Sequence, residues 1–184
     1  MANYDVEIVN KVIRDFKERR RYSTIPTTLM FDADNTLYRF STYGLENVSL
    51  RDMFSEGFFK NLPIFPEAPS VIKNLQKLGF NCGIISTAID SPYCVREKKE
   101  SFNYYFPMID DKDIHILDSK TPKWTAVESI ADTILIDDYH KNLMDWYNVG
   151  GVAIKKSYSG KDRPIPVITS LIDLFYVLKE LKAY

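Results

Sequence analysis

The chain has few cysteines and little net charge, and each of these shortages excludes a class of protein. Its 184 residues include two cysteines, Cys82 and Cys94, whose spacing fits neither a disulfide framework nor a zinc site. A net charge of −1 indicates neither disorder nor a nucleic-acid surface. The sequence also lacks both a run of roughly 20 apolar residues and a secretory signal. We therefore expect a cytoplasmic protein without membrane or nucleic-acid duplex partners.

Apolar strands alternate with helical segments along the chain, which is the pattern of an α/β protein with a doubly wound parallel sheet. The length predicts a single domain over residues 1–184. An amphipathic helix with a basic end precedes the first strand, so residues 1–24 form an N-terminal helical extension. The aromatic-rich segment 38–63 is predicted to form a flap or a minimal cap with one helix over residues 49–58. The sequence does not indicate an oligomeric state.

Two carboxylates one residue apart end the first apolar run. Phe31 leads directly into Asp32 and Asp34, and Thr36 follows. If the run is a buried parallel strand, both acids lie beyond its carboxyl end, where open α/β sheets place their sites. The alternative is an ordinary exit from a strand with solvated acids. A pair at positions i and i+2 suits a nucleophile, Asp32, backed by a general acid and base, Asp34.

Two further apolar strands end in polar residues, Ser86-Thr87 and Asp137-Asp138. Parallel neighbouring strands would bring all three clusters to one edge of the sheet. Four acids in one cleft repel each other unless a cation is present, and Mg²⁺ prefers oxygen ligands of this kind. The sequence therefore predicts a Mg²⁺ site at this edge.

A bound phosphate would also need neutral donors and a fixed positive charge. Ser86 and Thr87 offer hydroxyl and backbone N–H groups at the end of their strand. Lys120 stands just ahead of Thr121-Pro122, where a helix is predicted to open, and could bring an ammonium group to the same edge. Lys123, one helical turn away, is a rival for that role.

Taken in this order, the residues resemble the haloacid dehalogenase (HAD) superfamily of phosphotransferases. Its four motifs would be Asp32-Ala33-Asp34-Asn35-Thr36, Ser86, Lys120 and Asp137-Asp138. Within that superfamily the chain is most similar to the magnesium-dependent phosphatase-1 family, through Phe31-Asp32-x-Asp34-x-Thr36-Leu37-x-x-Phe40, Pro66-Glu67-x-Pro69-x-Val71 and Ser119-Lys120. The resemblance implies a Rossmann-like core with little or no cap. It also implies a Mg²⁺-dependent phosphatase for phosphotyrosine or for sugar phosphates, although Thr87 replaces an expected arginine.

The mechanism that this resemblance implies is attack of Asp32 on the phosphorus of a monoester, giving an aspartyl-phosphate. Asp34 would protonate the leaving oxygen and then activate water. The expected Mg²⁺ ligands are Asp32, the carbonyl group of Asp34, and Asp137, with Asp138 holding these ligands in place. The partner would be a phosphorylated small molecule or a phosphoprotein.

Other functions fit parts of the sequence. Gly57-Phe58-Phe59-x-x-Leu62-Pro63 and Tyr93-Cys94-x-x-Glu97-Lys98 are similar to segments of 5′(3′)-deoxyribonucleotidases, which stack a base under a helical cap. Segment 38–63 is short for such a cap, so Phe58 and Phe59 are expected to pack in the core. A non-catalytic phosphate-binding domain or scaffold is another alternative. A dehalogenase fits less well, because its chemistry does not need Asp34 as an acid.

Overall fold

A six-stranded sheet lies at the centre of the structure, a computed structural model that describes residues 3–40, 49–158 and 164–183. The strands in chain order are β1 (Thr28–Phe31), β2 (Asn81–Ala88), β3 (Ile114–Asp118), β4 (Thr133–Asp137), β5 (Val152–Lys156) and β6 (Val167–Ile168). Their order across the sheet is β3-β2-β1-β4-β5-β6, and every neighbouring pair is parallel. The predicted doubly wound α/β fold is confirmed.

Helices cover both faces of this sheet. In the described part of the chain they are α1 (Asn3–Arg20), α2 (Leu50–Met53), α3 (Ala68–Lys77), α4 (Cys94–Tyr105), α5 (His140–Asn148) and α6 (Leu174–Glu180). The connections through α3 and α4 run one way across the sheet, whereas the connection through α5 runs the other way. Because parallel crossovers are right-handed, α3 and α4 cover one face and α5 covers the other. The N-terminal helix α1 packs on α5 and β5.

Strand β1 lies in the middle of the sheet between β2 and β4, which explains its uninterrupted apolar sequence. Leu29, Met30 and Phe31 are all buried, as expected for a strand covered on both faces. From β1 the chain turns towards β2, and it returns on the other side only at β4. This reversal opens a crevice beyond the carboxyl ends of β1 and β4, the usual position of a site in such a sheet.

Three predicted helices differ from the structure. The helix expected over residues 49–58 is confined to α2, and Gly57, at φ 89°, breaks the helical path. The helix expected at Thr121-Pro122 is a single 3₁₀ turn, Lys123–Ala126, without a side-chain cap. The apolar spacing near the C-terminus predicts an amphipathic helix over about residues 166–181, whereas α6 begins only at Leu174. The chain first pairs with β5, where the carbonyl oxygen of Pro166 accepts a hydrogen bond from the backbone N–H of Lys155 at 2.8 Å, and it then leads into β6.

Two sequence predictions bear on the chain outside the sheet. The helix predicted in the N-terminal extension is confirmed by α1. The predicted flap at 38–63 includes residues 41–48, which lie outside the described residues. None of the helices in the described ranges has the length and apolar character needed to cross a membrane.

Candidate active site

Asp32 and Asp34 lie in a tight turn at the carboxyl end of β1. The backbone N–H of Asp32 donates to the carbonyl oxygen of Ile136 at 2.8 Å, which extends the pairing of β1 with β4 to this acid. The turn closes where the N–H of Leu37 donates to the carbonyl oxygen of Ala33 at 2.9 Å. Backbone hydrogen bonds on both sides therefore fix the position of the two carboxylates.

The second pair of acids follows β4 on the other side of the crevice. Asp137 is buried, and its carboxylate accepts hydrogen bonds from the N–H of Tyr139 at 2.8 Å and from the Asn142 amide at 3.0 Å. Asn35, which adopts φ 60°, forms a side-chain hydrogen bond with Asp138. Asparagine tolerates this left-handed conformation better than most residues. The loop that follows β1 is therefore linked to the loop that follows β4 by this hydrogen bond.

The side chain of Lys123 enters the site from the 3₁₀ turn between β3 and β4. It is 4% exposed, and its Nζ contacts Oδ1 of Asp32 and lies 2.7 Å from Oδ2 of Asp137. Burial by itself lowers the pKa of Lys123, but the charges of Asp32 and Asp137 outweigh it and raise that pKa. Lys123 is therefore an ammonium ion between two carboxylates.

Lys120, the first choice from the sequence, lies at the surface. It is exposed in the loop after β3, and its backbone N–H donates to Oδ1 of Asp118 at 2.8 Å. A cavity of about 80 Å³ lies beside this loop, and Thr87, Lys120 and Lys123 are among its lining residues. The structure thus brings the rival lysine, Lys123, to the acids and keeps Lys120 at the rim.

A second buried lysine, Lys98 of α4, lies on the opposite side of the site. It is 3% exposed, and its Nζ donates to Oδ2 of Asp34 at 2.8 Å. The same nitrogen donates to Oγ of Ser86 and to the carbonyl oxygen of Thr87, each at 2.9 Å. The predicted phosphate-binding residues Ser86 and Thr87 therefore do lie beside Asp34, and a lysine joins them.

Lys98 was not among the site residues predicted from the sequence, where it appeared only in a segment similar to 5′(3′)-deoxyribonucleotidases, although a further signal was present. Helix α4 buries Cys94, Glu97, Lys98, Ser101 and Phe102. These positions follow the i, i+3, i+4, i+7, i+8 spacing of an inward-facing helical stripe. Two charged residues on such a stripe indicate a buried polar function, because charged side chains are rarely buried without partners.

Glu97 links the same turn of α4 to the segment between β1 and α3. Its buried carboxylate accepts hydrogen bonds from the backbone N–H of Gly57 at 2.6 Å and of Phe59 at 3.1 Å. The Phe59 ring lies 5.4 Å from Nζ of Lys98. Phe59 is buried and Phe58 packs against the core, so the expected core packing of both rings is confirmed.

The acids in this crevice carry more negative charge than the two lysines neutralise. Burial is the largest influence on Asp32, and together with the charges of Asp137 and Asp34 it raises the pKa well above the ordinary value, against the opposing effect of Lys123. Burial, followed by the charge of Asp137, raises the pKa of Asp138 to about 6. Both shifts have the direction expected where several carboxylates share a buried site, and an added cation would relieve their repulsion.

The donor atoms fit a divalent metal ion. Among the described residues, one carboxylate oxygen from each of Asp32, Asp137 and Asp138 lies within 4.8 Å of the others. With Lys123 in place, three carboxylates leave a charge of about −2 for a cation to balance, and Mg²⁺ prefers such hard oxygen ligands. The side chain of Asp34 is not in this group, and its Oδ2 accepts a hydrogen bond from Lys98 at 2.8 Å. Asp138, expected to support the ligands, is close enough to be one.

Comparison with known proteins shows the fold. No protein-family model matches the chain, and no curated protein sequence does. Among solved structures, the magnesium-bound HAD hydrolase YfnB of Bacillus subtilis matches with 16% identity and a TM-score of 0.59, covering 83% of this chain and 98% of that one. D,D-heptose 1,7-bisphosphate phosphatase of Burkholderia thailandensis matches with 12% identity and a TM-score of 0.57, covering 82% and 98%.

A dehalogenase shares this fold as well. The L-2-haloacid dehalogenase of Xanthobacter autotrophicus matches with 12% identity and a TM-score of 0.57, covering 84% of this chain and 99% of that chain. The structural neighbours are thus HAD-superfamily hydrolases, phosphatases and dehalogenases among them. The chain has the HAD-type Rossmann-like fold, whereas its reaction has to be argued from the site itself.

Proposed function

We propose that this chain is a Mg²⁺-dependent phosphomonoester hydrolase that works through an aspartyl-phosphate. The observation that carries the proposal is the arrangement of Asp32 and Asp34, each held by its own buried lysine, at the carboxyl end of β1. One carboxylate belongs to the cluster that fits a metal ion, and the other lies outside it. Two acids in different surroundings can take different roles in one reaction.

Asp32 is the nucleophile in this proposal. Its carboxylate attacks phosphorus, the bond to the leaving oxygen breaks, and Asp34 supplies the proton that the leaving group takes. Asp34 then removes a proton from the water that releases phosphate. The Asp34 side chain is 33% exposed, so water and a leaving group can reach it.

The remaining residues neutralise charge and orient the substrate. Asp32, Asp137 and Asp138 would hold Mg²⁺ together with the carbonyl group of Asp34. When bound, the ion would offset the repulsion between nucleophile and phosphate. Lys123 keeps Asp32 in a fixed orientation, and the exposed part of Thr87 is available to a phosphate oxygen.

The substrate class that we propose is a phosphate monoester, carried by a small molecule or by a protein. Phosphotyrosine and sugar phosphates are the first candidates. Phe58 and Phe59 pack into or against the core, so these two rings are not free to stack on a base. A dehalogenase would have no use for Asp34 as an acid, and here Lys98 holds that residue in the site. The chemistry of the acid pair therefore favours phosphate transfer.

The test is a phosphate-release panel on purified protein with Mg²⁺. It covers phosphotyrosine peptides, sugar phosphates, fructosamine phosphates and deoxynucleotides, with Asp32→Asn as the matched inactive protein. We expect turnover by the wild type alone, and a phosphoryl group on the Asp32 peptide after acid quenching, detected by mass spectrometry. Turnover by the Asp32→Asn protein, or labelling of another residue, would remove Asp32 as the nucleophile.

A second candidate is a deoxyribonucleotidase, and the position of Lys98 favours it. The segment from Tyr93 to Lys98 resembles those enzymes, and the structure places its lysine in the site. Base stacking contributes about 1–3 kcal/mol, so a true nucleotidase should prefer deoxynucleotides to a small aryl phosphate by more than about tenfold. Loss of that preference in Phe58→Ala, at an unchanged melting temperature, would favour this candidate over the first.

A further inference from the structure

Lys98 is the buried cation that holds Asp34, and the proposed mechanism gives it no direct part in any step of the reaction. An ammonium group has three N–H donors, and at Lys98 all three have acceptors: Asp34, Ser86 and the Thr87 carbonyl. Each acceptor comes from the end of β1 or of β2. A group buried to this extent and fully hydrogen-bonded holds its neighbours in one arrangement.

The position of Lys98 is itself fixed by contacts of its neighbours. Its neighbour Glu97 accepts two backbone N–H groups of segment 57–59, and the Phe59 ring lies beside the ammonium group. Helix α4 therefore cannot shift without breaking these contacts. Lys98 consequently presents its nitrogen to Asp34 from a fixed support, as positioning of a catalytic group requires.

The exposure of Asp34 shows which reaction step this affects. Lys98 binds Oδ2, and the Asp34 side chain keeps a third of its surface exposed on the open side of the crevice. Rotation of the carboxylate would break its shortest contact with Lys98. The ammonium group thus fixes the direction from which Asp34 can meet a leaving oxygen.

We infer that Lys98 is a positioning residue for Asp34, and that it aligns this acid with the leaving group of the substrate. The inference rests on the proposed phosphatase function. Substrates with poor leaving groups depend on this alignment, and activated aryl phosphates do not.

The test compares Lys98→Met with Lys99→Met on an alkyl phosphate and on p-nitrophenyl phosphate. Lys99 is next on the same helix, is 52% exposed and pairs with Asp111 at 3.1 Å, so it is a matched control. General acid catalysis contributes about 10²–10⁴-fold, so we expect kcat of Lys98→Met to fall at least ~100-fold on the alkyl ester and less than ~5-fold on the aryl ester. Lys99→Met should match the wild type on both.

A double-mutant cycle with Asp34→Asn separates positioning from a general structural effect. If Lys98 acts through Asp34, adding Lys98→Met to Asp34→Asn should change alkyl-ester turnover less than about threefold. Lys98→Arg keeps the positive charge and so protects the fold. However, no single nitrogen of the planar guanidinium group can donate to all three acceptors of Lys98. This variant should show the same selective loss on the alkyl ester, at about tenfold or more.

Three results would overturn the inference. Equal losses on both esters, or additive losses in the cycle, would mean that Lys98 has no specific link to Asp34. A rise in the inhibition constant of inorganic phosphate in Lys98→Met, with kcat unchanged, would make Lys98 a phosphate ligand instead. If the wild type hydrolyses neither ester with Mg²⁺, the proposed function itself fails, which is a distinct outcome.

Discussion

Replacing Lys123 by methionine should reveal how much the acid cluster depends on its ammonium group. The variant keeps the length of the side chain but leaves Asp32 and Asp137 without their common partner, and both carboxylates are buried. Removing one member of a buried charge group costs about 3–5 kcal/mol, because the remaining charges stay desolvated and unpaired. In a chain of this size that loss lowers the melting temperature by roughly 6–20 °C.

Lys120→Met is the control, because this lysine is exposed in the loop after β3. Surface substitutions of this kind usually stay within about 0.5 kcal/mol of the wild type. Both variants are unfolded in urea with EDTA present, and again with saturating Mg²⁺. The metal should stabilise Lys123→Met more than the wild type, because the cluster then carries one positive charge fewer. Ligand at one hundred times its dissociation constant contributes about 2.7 kcal/mol.

Two results would refute this reasoning. If the free energies of unfolding of the two variants differ by less than about 1 kcal/mol without metal, the pairing of Lys123 with the acids does not stabilise the fold as argued. If Mg²⁺ stabilises Lys120→Met more than Lys123→Met, the metal does not bind at the carboxylates that Lys123 contacts. Phosphate release gives an independent readout, and only Lys123→Met should lose it.

Three further outcomes follow from the described contacts. EDTA should stop phosphate release by the wild type and added Mg²⁺ should restore it, whereas Ca²⁺, with more ligands at longer distance, should not; full activity in EDTA would contradict a metal-dependent reaction. Glu97→Gln should lose about 1–3 kcal/mol of stability in urea, since one amide oxygen replaces two acceptors for the N–H groups of Gly57 and Phe59; an unchanged midpoint would mean that these bonds are dispensable. Gly151→Ala should cost about 1–3 kcal/mol by thermal unfolding, because a new Cβ would overlap the Trp146 indole, while a neutral result would mean that the indole can shift.

The sheet and the acids could be predicted because their signals are local. Apolar runs that end in Asp32, Ser86 and Asp137 identify three strands, and parallel pairing then brings those ends together. β6 was missed because two residues give no periodicity, and its pairing with β5 includes a hydrogen bond from the N–H of Lys155 to the carbonyl oxygen of Pro166 that no sequence pattern marks.

The lysines could not be assigned from the sequence for a different reason. Which of Lys120 and Lys123 turns inward depends on where a single turn begins, and no side-chain cap marks that point. The boundary of a short turn is set by what it packs against, and here two buried carboxylates receive Lys123. Lys98 lies 64 residues after Asp34 in sequence, beyond α2, α3 and β2, so only the docking of α4 reveals their contact.

The position of β4 in the sheet has a consequence for folding during synthesis. β1 pairs on one side with β2, which follows soon in the chain, but its other partner, β4, begins only at Thr133. Until that segment leaves the ribosome, one edge of a largely buried strand has no partner, and unpaired strand edges invite aggregation. The same late pairing brings Asp137 and Lys123 to Asp32, so the acid cluster forms only after β4 has joined β1.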